Sequence, residues 1–198
     1  MASDLRYDVF LSFRGEDTRH SFTDHLYHAL LQAGLRTFRD NDEIDRGEEL
    51  KPEIETAIIE SRASIVVLSE NYANSIWCLD ELCLILEHRR KLNHFVLPVF
   101  YHVDPSDVRN QRRSFANEGS MWTSVANLTS NCLACLGVEA KEGPKWMEVN
   151  VRRWKAALTE VANLTGFQLS GYICFLSLFI HVYTSRLTNL LYYHQPGS

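Results

Sequence analysis

The sequence predicts an α/β fold, an open parallel sheet with helices on both faces. Three observations carry that prediction. Short apolar runs alternate with helix-periodic segments between Tyr7 and Gly166. The apolar runs are nearly continuous rather than alternating, as strands covered on both faces require. Glycines and charged residues punctuate the ends of the periodic segments. Right-handed crossovers leave few topologies for such a chain, and the economical one is a flavodoxin-like sheet of four to five strands in the order 2-1-3-4-5. A length of 198 residues, 45% apolar and 23% charged, fits one globular domain plus an appendage.

Each element follows from its residues. Tyr7 to Phe13 is an apolar, partly β-branched run ended by Arg14-Gly15 and reads as a buried strand. Phe22, Leu26, Ala29, Leu30 and Ala33 recur on one helical face, closed by Gly34. Leu35 to Phe38 is a second short strand, and the charged stretch Arg39 to Glu49 is a surface loop. Pro52 suits the first turn of a helix carrying Ile54, Ala57, Ile58 and Ser61 on one side. Ala63 to Leu68 is the clearest strand. Trp77 to Arg90 is helical, with basic residues near its carboxyl end where the dipole favours them. Phe95 to Tyr101 is a fourth strand, although Pro98 removes a ladder donor and argues for an edge or a bulge. Lys145 to Thr165 is the final helix, with Trp154, Leu158, Val161 and Ala162 inward and Gly166 as its stop.

Composition narrows the function classes. A net charge of −5 gives no global attraction to phosphate polymers and argues against a nucleic-acid partner. The charged amino terminus lacks the apolar core of a secretory signal. Five cysteines, odd in number and irregularly spaced, make no disulfide framework, so a cytoplasmic protein with reduced thiols is expected. Cys132-Leu-Ala-Cys135 is half of a zinc or redox signature without a second pair, and His25 with His28 has no further ligand pattern, so no metal is expected.

In a sheet of this kind ligands sit beyond the carboxyl ends of the strands, at the switch point. Those ends are Arg14-Gly15, Asp40, Ser69 to Tyr72 and Tyr101 to Asp104. A phosphoacceptor site wants a carboxylate cluster there, but strand one ends in Ser-Phe-Arg and strand three in Ser-Glu. A dinucleotide site of the Rossmann kind wants a Gly-rich turn after strand one, which Arg-Gly-Glu-Asp-Thr-Arg is not.

Seven stretches, in order, resemble the Toll/interleukin-1 receptor (TIR) domain family in its plant immune-receptor branch. They are Tyr7 to Arg19 (YDVFLSFRGEDTR), Phe38 to Asp40, Arg46-Gly47, Ala57-Ile58 with Ser61-Arg62, Ser69 to Tyr72 (SENY), Trp77 to Leu82 (WCLDEL), and Leu97 to Tyr101 running on to Asp104–Arg109 (DPSDVR), while Trp154 to Gly166 matches the family's last helix. The resemblance implies a flavodoxin-like fold, association with other TIR domains, and cleavage of NAD with release of nicotinamide. It identifies the Trp-x-x-x-Glu pattern of the family with Trp77 and Glu81, making Glu81 the catalytic carboxylate. It also implies substrate contacts at Arg14, Gly15, Arg19, Arg46, Gly47, Ser75 and Trp77. NAD is then the substrate, and no separate cofactor is called for.

The chemistry suits those residue types. Positions i and i+4 share a helix face, so an indole and a carboxylate can line one pocket. Oxidised NAD already carries a cationic leaving group, so its departure needs no general acid. The transition state instead needs stabilisation of positive charge spreading over the ribose, which a carboxylate supplies. Trp77 can stack on or wall the flat rings, and forked arginine donors match a pyrophosphate.

The resemblance further implies self-association through a surface joining the first and last helices, centred in relatives on a Ser-His pair. Asp24-His25 falls there; His25 matches and Asp24 departs. The alternative function is a catalytically silent adaptor that acts only through TIR–TIR contacts. The expected organisation is an extension at 1–6, the TIR domain at 7–166 with a long variable connection at 116–145, and an apolar tail at 167–198. No phosphate-loop signature of a nucleotide-binding domain follows, which leads us to expect a TIR-only or truncated relative of the larger receptors. Residues 172–193 are apolar enough to touch a membrane.

Overall fold

The computed structural model describes residues 5–39, 52–116 and 145–169. Five strands form one parallel sheet: β1 (Tyr7–Phe13), β2 (Thr37–Arg39), β3 (Ser61–Leu68), β4 (Phe95–Tyr101) and β5 (Phe167–Leu169). Their order is β2-β1-β3-β4-β5, the doubly wound arrangement expected from the sequence. The helices are α1 (Gly15–Thr18), α2 (Phe22–Gln32), α3 (Pro52–Ile59), α4 (Ile76–Leu92), α5 (Pro105–Arg109) and α6 (Lys145–Ala162).

Side-chain alternation along the strands splits the core into two layers. Val9 and Leu11 of β1, Ile65 and Val67 of β3 and Val99 of β4 bury one face against Phe22, Leu26 and Leu30 of α2. Phe10, Val66, Leu68 and Phe100 bury the other face against α3 (Ile54, Ile58), α4 (Leu79, Leu82, Ile85, Leu86) and α6 (Trp154, Leu158, Val161). The indole N–H of Trp154 donates to Asp80 Oδ1 at 2.8 Å, so this large buried ring has its one donor satisfied by α4.

Local chemistry sets the element ends. Gly34 has φ +80°, Leu35 N donates to Leu30 O at 3.0 Å and Gly34 N to Leu31 O at 2.9 Å. That pair of bonds is a Schellman stop, as the glycine predicted. Helix α4 instead stops at Asn93, with φ 55°. Ser61, placed by periodicity on the α3 face, opens β3 while its hydroxyl donates back to Ala57 O at 2.6 Å. Helices α1 and α5 are a turn or so long, too short for periodicity to reveal; α5 is announced only by Asp104 capping Ser106 N (2.7 Å) ahead of Pro105.

One expectation about the last helix is corrected. The helix ends at Ala162, and the sheet continues past Gly166 into β5, so Gly166 is a strand entry rather than a helix stop. Consequently α6 is the crossover between β4 and β5. It packs on the face that holds α3 and α4, opposite α2. Periodicity found the helix but had no means of assigning its face.

Pro98 is also explained. It pairs with Val66 of β3, but the pairing of β4 with β5 starts only at Val99 and Phe167, so Pro98 lies ahead of the ladder on that side. Gly166 fills the place beside it. A Cβ there would stand 2.4 Å from Pro98 O and 2.6 Å from Pro98 Cγ. Gly166→Ala should lower stability by about 2 kcal/mol through overpacking against an immovable backbone, read as a drop in the unfolding midpoint.

A buried imidazole gives a second stability prediction. His94 is 8% exposed and its Nε2 lies 2.8 Å from Ser64 Oγ. Burial first, then the neighbouring His88, lowers its pKa from 6.5 to about 4. Between those two values the unfolded chain binds a proton that the folded chain does not, so the His94 contribution makes stability fall as pH drops through that window, by at most about 3 kcal/mol. In His94→Gln, denaturant midpoints measured across the same window should change less with pH than those of the parent chain.

Candidate functional site

The site is assembled beyond the carboxyl ends of the neighbouring strands β1 and β3, the point at which strand order reverses. On β1, Ser12 follows Phe10 by two residues and so faces α4, the one polar residue in the buried Val9–Phe13 part of the strand. Past β3, Ser69 leads into a single 3-10 turn at Tyr72–Asn74, and Ser75 then caps α4 by accepting from Cys78 N at 3.3 Å. Trp77 and Glu81 lie one turn apart on that helix; the indole is half-buried.

Glu81 is 8% exposed. Its Oε2 accepts the Ser12 hydroxyl at 2.8 Å. Ser12 Oγ lies 2.9 Å from Tyr72 Oη, and the phenol donates to Cys78 O at 2.9 Å. Burial foremost, with the Cys78 and Glu81 charges adding to it, pushes the Tyr72 phenol well above its ordinary range, so it keeps its proton and acts as a donor. Burial likewise raises the Cys78 thiol, which contacts Phe13 O at 3.6 Å. Cys83 is pushed up to about 11, chiefly by burial. Neither thiol is a poised nucleophile at neutral pH.

The second half of the site is the turn after β1. Arg14 donates from Nη1 to Asn71 O at 3.1 Å and pairs with Glu16 and, through Nε at 3.5 Å, with Asp17. The Arg19 guanidinium lies over the Phe13 ring, 5.2 Å from its centroid. It reaches that position across Gly15, where a Cβ would be 2.9 Å from Arg19 Nη2. Asp17 then ties this turn to the segment after β3. Its Oδ2 accepts from Ser69 Oγ (2.6 Å) and Asn71 N (3.1 Å), and its Oδ1 from Asn71 Nδ2 (3.3 Å).

The structure thus gathers Arg14, Gly15 and Arg19 on one connection and Ser75, Trp77 and Glu81 at the start of the next helix, with Asp17 joining the two. Ser75 uses acceptor capacity as a cap, while a hydroxyl also donates. Arg46 and Gly47 lie outside the described residues. So do the Cys132–Cys135 pair and the apolar 172–193 stretch; among the described residues no helix is long and apolar enough to cross a membrane. Asp24 and His25 sit on α2, over the opposite face of the sheet. The Arg39 hydrogen bond at 2.7 Å holds the Asp24 carboxyl below its ordinary range, and Arg39 stacks 4.2 Å from the Tyr27 ring centroid; His25 is exposed. Sequence reasoning missed Ser12, Asp17 and Tyr72 as parts of the site. The one available signal was a serine on the inward face of an apolar strand.

Comparison with known proteins agrees with the geometry. A family model for the TIR domain matches residues 6–131. The chain is 52% identical over 163 residues to disease resistance protein RPV1 of Vitis rotundifolia, covering 82% of this chain and 10% of that protein. It is 45% identical over 161 residues to TMV resistance protein N of Nicotiana glutinosa, covering 81% and 12%. It therefore spans about a tenth of the length of these relatives. Among solved structures, the TIR domains of the activated Roq1 resistosome, which directly recognises the pathogen effector XopQ, match with a TM-score of 0.71 at 42% identity, covering 91% of this chain and 99% of that one. The RPS4 and RRS1 TIR heterodimer matches in fold alone, with a TM-score of 0.50 at 20% identity over 93% of this chain and 98% of that one. The chain belongs to the TIR domain family.

The Asp17 tether yields a prediction. Asp17→Ala leaves the buried Ser69 hydroxyl and the Asn71 amide without their acceptor. Stability should fall by about 1–3 kcal/mol, measured by equilibrium denaturation.

Proposed function

We propose that this TIR domain cleaves NAD to nicotinamide and ADP-ribose or a cyclic ADP-ribose-type product, in plant innate immune signalling. The observation that carries the reading is the buried Glu81 carboxylate at the switch point, on the same helix face as Trp77 and across from the arginine-bearing turn after β1. The bond between the ribose C1′ and the nicotinamide nitrogen breaks, its electron pair leaving with the now neutral nicotinamide. Positive charge develops on the ribose, where the Glu81 carboxylate stabilises it and accepts from a ribose hydroxyl. Water then bonds to C1′ and releases a proton, or a nitrogen of the adenine closes the ring. Trp77 walls the flat rings, with Ser75 beside it; Arg14, Arg19 and Arg46 take the pyrophosphate, Gly15 and Gly47 letting backbone come close.

The Roq1 TIR domains belong to an activated resistosome, which supports a reading in which this domain also works in an assembly with other TIR domains; the cytoplasm is the proposed compartment, where its cysteines stay reduced. Exposed His25 on α2 is the residue proposed for that contact. NAD consumption by the purified chain, followed at several protein concentrations beside Glu81→Ala, tests the reading. The substitution should cut turnover by about 100-fold or more, the cost of losing one preorganised electrostatic partner. Specific activity should rise with concentration. Equal rates for the two proteins would leave only the adaptor role.

A further inference from the structure

We infer that Ser12 and Tyr72 are positioning residues for Glu81, acting in series from the sheet edge and the post-β3 turn onto one carboxylate oxygen; this rests on the role proposed for Glu81 above. The four groups form a closed strut. Glu81 and Cys78 lie three residues apart on α4, and the path from Glu81 Oε2 runs through Ser12 Oγ (2.8 Å) and Tyr72 Oη (2.9 Å) back to Cys78 O (2.9 Å) on that helix. Ser12 and Tyr72 are fully buried, so packing on all sides fixes both hydroxyls.

Counting protons orders the chain. An ionised carboxylate and a backbone carbonyl only accept, and each hydroxyl has one proton to give. Two protons therefore serve three contacts. The two acceptor-only ends take them, Ser12 donating to Glu81 and Tyr72 to Cys78 O. Ser12 is then the direct partner of the carboxylate, and Tyr72 acts on Glu81 only by fixing Ser12. The strut spans β1, the turn after β3 and α4, the three segments that meet at the switch point, so it sets where the carboxylate stands relative to a substrate bound over that crevice. A positioned charge of this kind affects the transition state more than ground-state binding.

The test is steady-state NAD cleavage by the full chain at one fixed protein concentration. It uses Ser12→Ala, Tyr72→Phe, the double variant, Glu81→Ala, and Ser64→Ala as a control that removes another fully buried hydroxyl, the one bonded to His94. Ser12→Ala should lower kcat by about 10- to 100-fold, the worth of a hydrogen bond to a charged group, with KM within about twofold of the parent value. Tyr72→Phe should lower kcat by less, and adding it to Ser12→Ala should change kcat by no more than about twofold. Ser64→Ala should lose stability and keep its kcat. Losses that multiply in the double variant, a rise in KM with kcat intact, or an equal kcat loss in Ser64→Ala would each overturn the inference. If Ser12→Ala fails to fold, Tyr72→Phe decides alone, and an unchanged kcat there overturns it. Parent-like turnover in Ser12→Ala while Glu81→Ala is dead defeats the inference and spares the proposed function. Parent-like turnover in Glu81→Ala, or none by the parent chain, defeats both.

Discussion

A carboxylate removed from water has to be met by donors, and the Glu81–Ser12 hydrogen bond at 2.8 Å is where this chain meets that demand. Much of the carboxyl edge of the sheet follows from it. Ser12 has to interrupt an apolar strand, on the face toward α4. Tyr72 has to be buried whole, its hydroxyl reaching both Ser12 and the first turn of that helix. Ser75 has to cap α4 at a register that brings Glu81 around to β1. The buried acids around it stay neutral: burial holds the protons on Tyr72, Cys78 and Cys83. Charge at this edge is thereby carried by Glu81 and by the Arg14–Glu16–Asp17 set of the turn after β1.

The turn after β1 balances that arrangement. Arg14 and Asp17 form a compact charged pair whose remaining capacity is spent on Asn71 and Ser69, beyond the end of β3. Without such a link the β1–α1 and β3–α4 connections would be two independent loops. With it they are bonded into one rim, which is what a site split between two connections requires if its groups are to keep their spacing.

How much of this was legible in the sequence varies with the length over which each signal is written. The strands and long helices were, because apolar periodicity accumulates over many residues, and strand order followed from crossover handedness. Glu81 and Trp77 stood out through the family resemblance, which spacing alone would not have supplied. Ser12 and Tyr72 did not, since the bonds that give them meaning join residues 60 and 69 positions apart, a relation that no local pattern encodes. The face occupied by α6 was hidden for the same reason. Gly166 was noticed for the wrong quality: it is required by its distance to Pro98 rather than by any need to stop a helix.

The departure at Asp24 from the family's serine has a physical account that bears on assembly. A serine hydroxyl can donate or accept, but it cannot offset the charge of Arg39, which ends β2 and lies against Tyr27. Asp24 does offset it, and its depressed pKa reflects the Arg39 hydrogen bond before any other cause. The carboxylate is therefore committed within its own domain, bracing α2 against the last residue of β2. Its neighbour His25 is exposed. In the contact proposed for α2 the imidazole would then be the group offered to a second TIR domain, while Asp24 holds the helix against β2.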